Sequence, residues 1–191
     1  METQTNKDKI FSDNLSTLKK TSVDKNGTER IYMTQSELPV FNFDKVKDAY
    51  VADLHLATVP SSNDALYADK DGKYCFIEFK NGRMTGKKVY EVQKKIYDSL
   101  LIFNDILGVG ISYCRENVDY ILVYNEEKNP EDNKKPKRGM TPSLVAIADH
   151  FTKKAGKHFI RFDLEPFEKL YFRNVYTYTE NEFEERFVKL Q

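Results

Sequence analysis

The chain has no tryptophan, only two cysteines and no net charge, its 30 lysine and arginine residues being matched by 30 aspartate and glutamate residues. Each lack excludes something. Zero net charge offers no global attraction to a polyanion, so any nucleic-acid contact must come from a local basic surface. Cys75 and Cys114 form no Cys-x-x-Cys pair, which excludes zinc-site spacing and a disulfide scaffold and favours a cytoplasmic setting. Cys75 sits in an apolar run and reads as a reduced core residue. Residues 1–9 hold no apolar segment of the kind a secretory leader needs. No apolar run approaches the roughly 18 residues that cross a bilayer. The longest, residues 100–106, is interrupted by Asn104 and Asp105, so no membrane partner is expected.

Several familiar motifs are missing as well. There is no Gly-x-Gly-x-x-Gly, no Gly-x-Ser-x-Gly and no His-Glu-x-x-His. Residues 82–88 fall one position short of P-loop glycine spacing and lack the following Ser or Thr. Asp149-His150 has no nucleophile at a recognisable distance, and His55 and His158 stand alone, so a serine or cysteine hydrolase is unsupported.

What remains is a chain of 191 residues, 40% hydrophobic and 31% charged, long enough for one domain with a sizeable core. Residues 1–40 are polar and mixed and read as an irregular N-terminal extension; residues 41–191 read as a single domain. Spacing predicts a first helix over 44–56, broken by Pro60 and the polar residues after it. Two strands follow, 64–68 and 73–80, joined through Asp71-Gly72, a strong hairpin signal. The second is almost continuously apolar and reads as a central strand covered on both faces. Val89, Val92, Ile96, Leu100, Phe103 and Leu107 place one buried stripe on a helix over 88–107, closed by Gly108 and Gly110. A strand over 118–124, a loop over 125–142, a helix over 143–155 and strands over 158–163 and 175–178 come next. Thr179 followed by Glu182 has the capping-box pattern that opens a last helix. The order of elements is that of an α/β fold with a mixed sheet and helices on its faces.

Chemistry concentrates at Asp64, Glu78 and Lys80. Residues two apart on a strand share a face, so Glu78 and Lys80 leave together. The hairpin returns the end of the second strand beside the start of the first, which makes Asp64 their cross-strand neighbour. Two converging carboxylates, with the Phe79 backbone carbonyl as a third oxygen, suit a magnesium ion. Lys80 beside that ion can position an attacking water. The chain has four acid-x-Lys triplets, and three lie in polar turns and loops; only Glu78-x-Lys80 ends an apolar strand. Alone, that triplet more readily describes a strand-end ion pair. Asp64 turns the balance toward a site. Gln93 and Tyr97, four apart on one helical face, flank the buried stripe. Arg83, Lys87, Lys88, Lys94 and Lys95 form a candidate basic rim for nucleic-acid phosphates, and residues 134–138 a second basic run in a loop.

These residues together resemble the PD-(D/E)XK phosphodiesterase superfamily over roughly residues 44–124. Asp64 matches its first acidic position, Glu78-Phe79-Lys80 its acid-x-Lys triplet, and Gln93-Lys94-Lys95-Ile96-Tyr97 the Gln-x-x-x-Tyr motif of its RecB-like exonuclease branch. The resemblance implies a restriction-endonuclease-like core, a central mixed β-sheet flanked by helices. It implies a metal-dependent nuclease using magnesium, with manganese as substitute, on nucleic acid, DNA being the usual substrate, and a homodimer where both strands are cut. Asp64, Glu78, Lys80, Gln93 and Tyr97 would be the catalytic set. The chain departs from the pattern in two places: Asn63 stands where the family has proline, and the first-helix acid has only Asp48 and Asp53 as candidates. The alternative is a catalytically inactive domain of the same fold that binds nucleic acid or protein.

Overall fold

The computed structural model describes residues 9–24, 29–130 and 159–191. In chain order the elements are β1 (Leu15–Thr17), α1 (Leu18–Thr21), β2 (Val23–Asp24), β3 (Ile31–Tyr32), β4 (Pro39–Asn42), α2 (Phe43–Val51), β5 (Ala65–Ala68), β6 (Tyr74–Lys80), α3 (Gly86–Leu107), α4 (Ile111–Asn117), β7 (Val118–Tyr124), β8 (Val175–Thr179) and α5 (Glu180–Arg186). Six strands make one mixed sheet in the order β1-β4-β5-β6-β7-β8, while β2 and β3 pair separately. Pairing is antiparallel from β1 to β6 and parallel from β6 through β7 to β8. The α/β class with a mixed central sheet flanked by helices is therefore as the residue pattern implies.

The β5–β6 hairpin closes through an aspartate turn. Asp69 Oδ1 accepts from the backbone N–H groups of Asp71 and Lys73, both at 2.8 Å. Gly72 takes a φ of 76°, where a side chain would be strained. The register is Ala65 opposite Ile77 and Ala68 opposite Tyr74. The parallel β6–β7 pair needs a crossover, which α3 and α4 supply. Thr85 caps the start of α3, and Gly108, at φ 67°, ends it by donating to the carbonyls of Asn104 and Asp105.

Alternation along β6 divides the core in two. Phe76 joins Phe43, Val92, Ile96, Phe103, Tyr120 and Phe172 on the α2–α3 face. Cys75, Ile77 and Phe79 join Leu18, Val40, Val123 and Phe183 on the other. Each of these large side chains contributes about 1.5–3 kcal/mol on burial. Glu78 carries the parity of Phe76, so it points under α3.

Several expectations are corrected. Within the N-terminal extension the described residues include regular structure: Leu15–Thr17 pairs with β4 as the edge of the main sheet, and Leu18 is fully buried. The first helix is capped by Asn42, which accepts from the Lys45 N–H at 3.1 Å, and stops at Val51 instead of residue 56. Beyond it Leu54 and Leu56 are exposed and His55 has φ 49°, so no core face rewards a further turn. Residues 159–163 are not a strand; Phe162 and Asp163 take φ values of 62° and 54°, incompatible with extended backbone. The short helix α4 was not foreseen. The strand at 118–124 and the capping box at Thr179 are as expected. The helix over 143–155, the basic run 134–138, His150 and His158 lie outside the described residues.

Candidate active site

Asp64 immediately precedes β5, and the hairpin register carried one step further sets it opposite Glu78. Four hydrogen bonds from backbone groups fix it there. Its own carbonyl accepts from the Phe43 N–H at 3.2 Å, where α2 begins. The N–H groups of Ser61 and Asn63 donate to Asp98 Oδ2 and Ser99 Oγ of α3, both at 2.8 Å. Asp64 Oδ2 in turn accepts from the Phe79 N–H at 2.7 Å. The N–H and C=O of a strand residue leave on the same side, so the Phe79 carbonyl is directed toward Asp64 as well.

Glu78 is fully buried, a position that demands paired charge. It has two partners. Lys80 Nζ pairs with Glu78 Oε1, and so does Lys95 Nζ, at 2.7 Å. Lys95 also reaches Asp64 Oδ1 at 3.1 Å. One ammonium therefore bridges both carboxylates. Glu78 Oε2 is buried with no hydrogen-bond partner among the described residues.

The crowding shifts protonation. Burial, with the Glu78 charge second, raises the Asp64 carboxyl to about 7, against the pull of Lys95 and Lys80. Burial alone would lower the Lys95 ammonium, yet Glu78 and Asp64 outweigh it and hold it above the ordinary lysine range. The Tyr120 phenol is pushed well up by burial and then by the charges of Glu78 and Asp64, and its hydroxyl too is buried without a partner among the described residues.

Asp64, Glu78, Lys80 and the Phe79 backbone thus come together. Gln93 and Tyr97 do not join them. Gln93 Nε2 donates to the Asp163 carbonyl at 3.3 Å, and the Tyr97 ring packs on Phe167 and Tyr171. Lys95 is two residues from Gln93, about 200° around a helix, and takes the side that faces the acids. Its expected place on a basic rim is corrected: it is part of the carboxylate cluster. Of the other rim residues, Arg83, Lys87 and Lys88 are exposed at the start of α3, where Lys88 pairs with Glu91 at 2.6 Å. Lys94 is engaged with Asp98 and with Ser61 Oγ.

Neither first-helix candidate approaches the acids among the described contacts: Asp48 is exposed and pairs with Lys47, and Asp53 is exposed beyond the helix end. Asp44, in the first turn of α2, is the first-helix acid whose charge reaches Lys95, after those of Glu78 and Asp64, and its Oδ1 accepts from Ser62 Oγ at 2.5 Å. Sequence reasoning missed it, along with Ser99 and Tyr120. The one available signal was Ser99, a polar residue on the buried stripe four positions after Lys95.

No protein-family model, no curated protein and no solved structure matches this chain.

Among the described residues no three or more His, Cys, Asp or Glu side chains gather as a metal cage. Two carboxylates suffice for magnesium, which usually keeps several waters and takes its remaining oxygens from substrate phosphates. The fit here rests on two observations: both acids already share one cation, and Glu78 retains a buried oxygen with nothing to bind. Asp64, Glu78 and the Phe79 carbonyl are the donors that would hold the ion. A separate cavity of about 220 Å³, lined by Tyr67, Cys75, Asp119, Arg173, Tyr176 and Phe187 among others, includes none of these groups. Of its charged lining, Asp119 and Arg173 pair with each other, and Asp69 accepts the backbone N–H bonds of the hairpin turn.

No helix among the described residues is long and apolar enough to cross a membrane.

Proposed function

We propose that this chain is a metal-dependent nuclease with a restriction-endonuclease-like core, hydrolysing phosphodiester bonds in nucleic acid, DNA before RNA. The observation that carries the reading is the convergence of Asp64 and Glu78 on a single cation with Lys80 on the same strand face. An antiparallel hairpin followed by a helical crossover to a parallel strand, with the acids at the hairpin's open end, supports it further.

A magnesium or manganese ion would supply Lewis acidity toward the scissile phosphate and lower the pKa of its bound water. Asp64, fixed by the Phe79 N–H and by the α3 groups that bond residues 61 and 63, and Glu78, buried on β6, would supply the carboxylate oxygens. Lys80, bonded to Glu78 and partly exposed, orients the attacking water and offsets charge on the phosphate. Arg83, Lys87 and Lys88 supply sequence-independent affinity for the backbone, which weakens with salt.

A second reading has its own observation. Lys95 stands where a shared metal would sit, which suits a catalytically inactive domain that binds nucleic acid or protein. One experiment separates the two. Linear duplex, circular and single-stranded DNA, and RNA, are incubated with the protein and magnesium or manganese, then with EDTA. The nuclease reading expects metal-dependent cleavage that disappears in folded Glu78→Ala and Lys80→Ala chains. Binding without cleavage on every substrate and with both metals would favour the inactive domain.

A further inference from the structure

We propose that Lys95 is a displaceable internal counter-ion, occupying the cation position between Asp64 and Glu78 until a divalent ion replaces it, with Asp44 as its second seat. The proposal rests on the metal-dependent reading of this site and adds a control on when the site is loaded.

The geometry is that of a competitor. The ammonium touches Glu78 Oε1 at 2.7 Å and Asp64 Oδ1 at 3.1 Å, the two groups from different strands that any shared ion would bind. An ammonium and a divalent cation cannot both occupy that position, since they would lie within a few ångströms and repel in a poorly screened setting. Lys95 does not supply the only charge on Glu78: Lys80 pairs with the same oxygen and would stay. The lysine also has somewhere to go. It is 22% exposed, so its long flexible stem has a way out. Asp44 lies beside the site: its Oδ1 accepts from Ser62 Oγ at 2.5 Å, two residues before Asp64, its neighbour Phe43 donates its N–H to the Asp64 carbonyl at 3.2 Å, and the rest of its side chain is exposed. Without metal the lysine holds two crowded acids together; with metal it moves to the neighbouring acid. The site would then bind divalent ions more weakly than its donors allow, and loading would need the extra oxygens of a bound phosphate.

Calorimetric titration with manganese, on the whole wild-type chain and on Lys95→Gln, is the test. Gln keeps hydrogen-bond donors and helix propensity and removes the charge. The expected result is about tenfold tighter manganese binding by Lys95→Gln. Equal or weaker binding overturns the proposal. Thermal melting with and without manganese is a second measurement that needs no activity. Lys95→Gln should be the less stable chain without the ion and should gain more from it; equal gains overturn the competition. Asp44→Asn should weaken manganese binding by about threefold in the wild-type background and not in Lys95→Gln, the coupling expected of a shared lysine. A loss of the same size in both backgrounds would assign Asp44 to the ion itself and overturn the second seat. Failure of the underlying reading looks different. No manganese binding by either chain, with no cleavage in the nuclease assay, removes ion and competition together. Metal-dependent cleavage with equal affinities removes the competition alone.

Discussion

Two ion clusters sit about three residues apart along the same strand pair and solve opposite problems. At the start of β7, Asp119 meets Arg173 in a two-pronged pair, Nε to Oδ1 at 2.9 Å and the second guanidinium nitrogen to Oδ2 at 2.7 Å, and Asn174 adds a third bond at 2.9 Å. Every oxygen of that acid is matched, by the planar donor that fits a carboxylate best. Near the end of β6, Glu78 is fully buried, two point-charge lysines crowd one of its oxygens, and the other has no partner. A second acid is held 3.1 Å from one of those lysines. A fold that needed only a staple would use the first arrangement. The second leaves a carboxylate oxygen without a partner among the described residues, which costs stability and is what the proposed exchange of occupant would require.

Mutation should separate the clusters, and the largest effect belongs to the crowded one. Glu78→Gln is nearly isosteric and should lower cleavage by about 10³-fold or more without loss of folding, read by single-turnover cleavage beside a melting curve. Retained activity would place Glu78 with the staple. Lys80→Ala should follow at about 10²-fold, with kcat falling more than KM rises. The third effect is in pH. The folded chain holds the Asp64 proton up to about pH 7, against about 4 for a free aspartate. The stability tied to that proton is therefore full below about pH 4 and fades as pH rises through 7. Metal-dependent cleavage should climb over the same interval, roughly tenfold from pH 6 to 8, because only the ionised carboxylate can hold a cation. Asp64→Asn should abolish cleavage and flatten the stability profile in this window, and an unchanged profile would contradict the crowding. The smallest effect is at the other end. Arg173→Ala should cost about 1 kcal/mol of stability in urea, since the pair is partly exposed, and should leave cleavage unchanged.

Much of this was legible in the residues because it is local. Asp71-Gly72 demands a turn, and alternation through Tyr74–Lys80 then sets which side chains share a face; together they bring Asp64 to Glu78 with no tertiary information. The stripe from Val92 to Ile106, the strand Val118–Tyr124 and the cap at Thr179 follow from spacing and end chemistry in the same way. The edge strand Leu15–Thr17 was not legible, since a three-residue segment gains strand character only from the partner that β4 offers. Residues 159–163 misled for the converse reason: their alternation resembles a strand, but the backbone takes left-handed angles at Phe162 and Asp163.

The helix contribution to the site shows where local reasoning stops. Gln93 and Tyr97 share a face, as four-residue spacing requires, yet that face meets Phe167, Tyr171 and Asp163 from the C-terminal part of the chain. In the sequence Lys95 is one cation among five at and just before the helix, and nothing in its neighbours distinguishes it.

The sequence alone determined the pairing of two carboxylates and a lysine, because hairpin register and strand parity are fixed within some twenty residues. Only the tertiary structure decided which turn of α3 lies over them. That rotation is set by burying one apolar stripe against a sheet whose strands come from across the chain, and it put Lys95, not Gln93, between the acids.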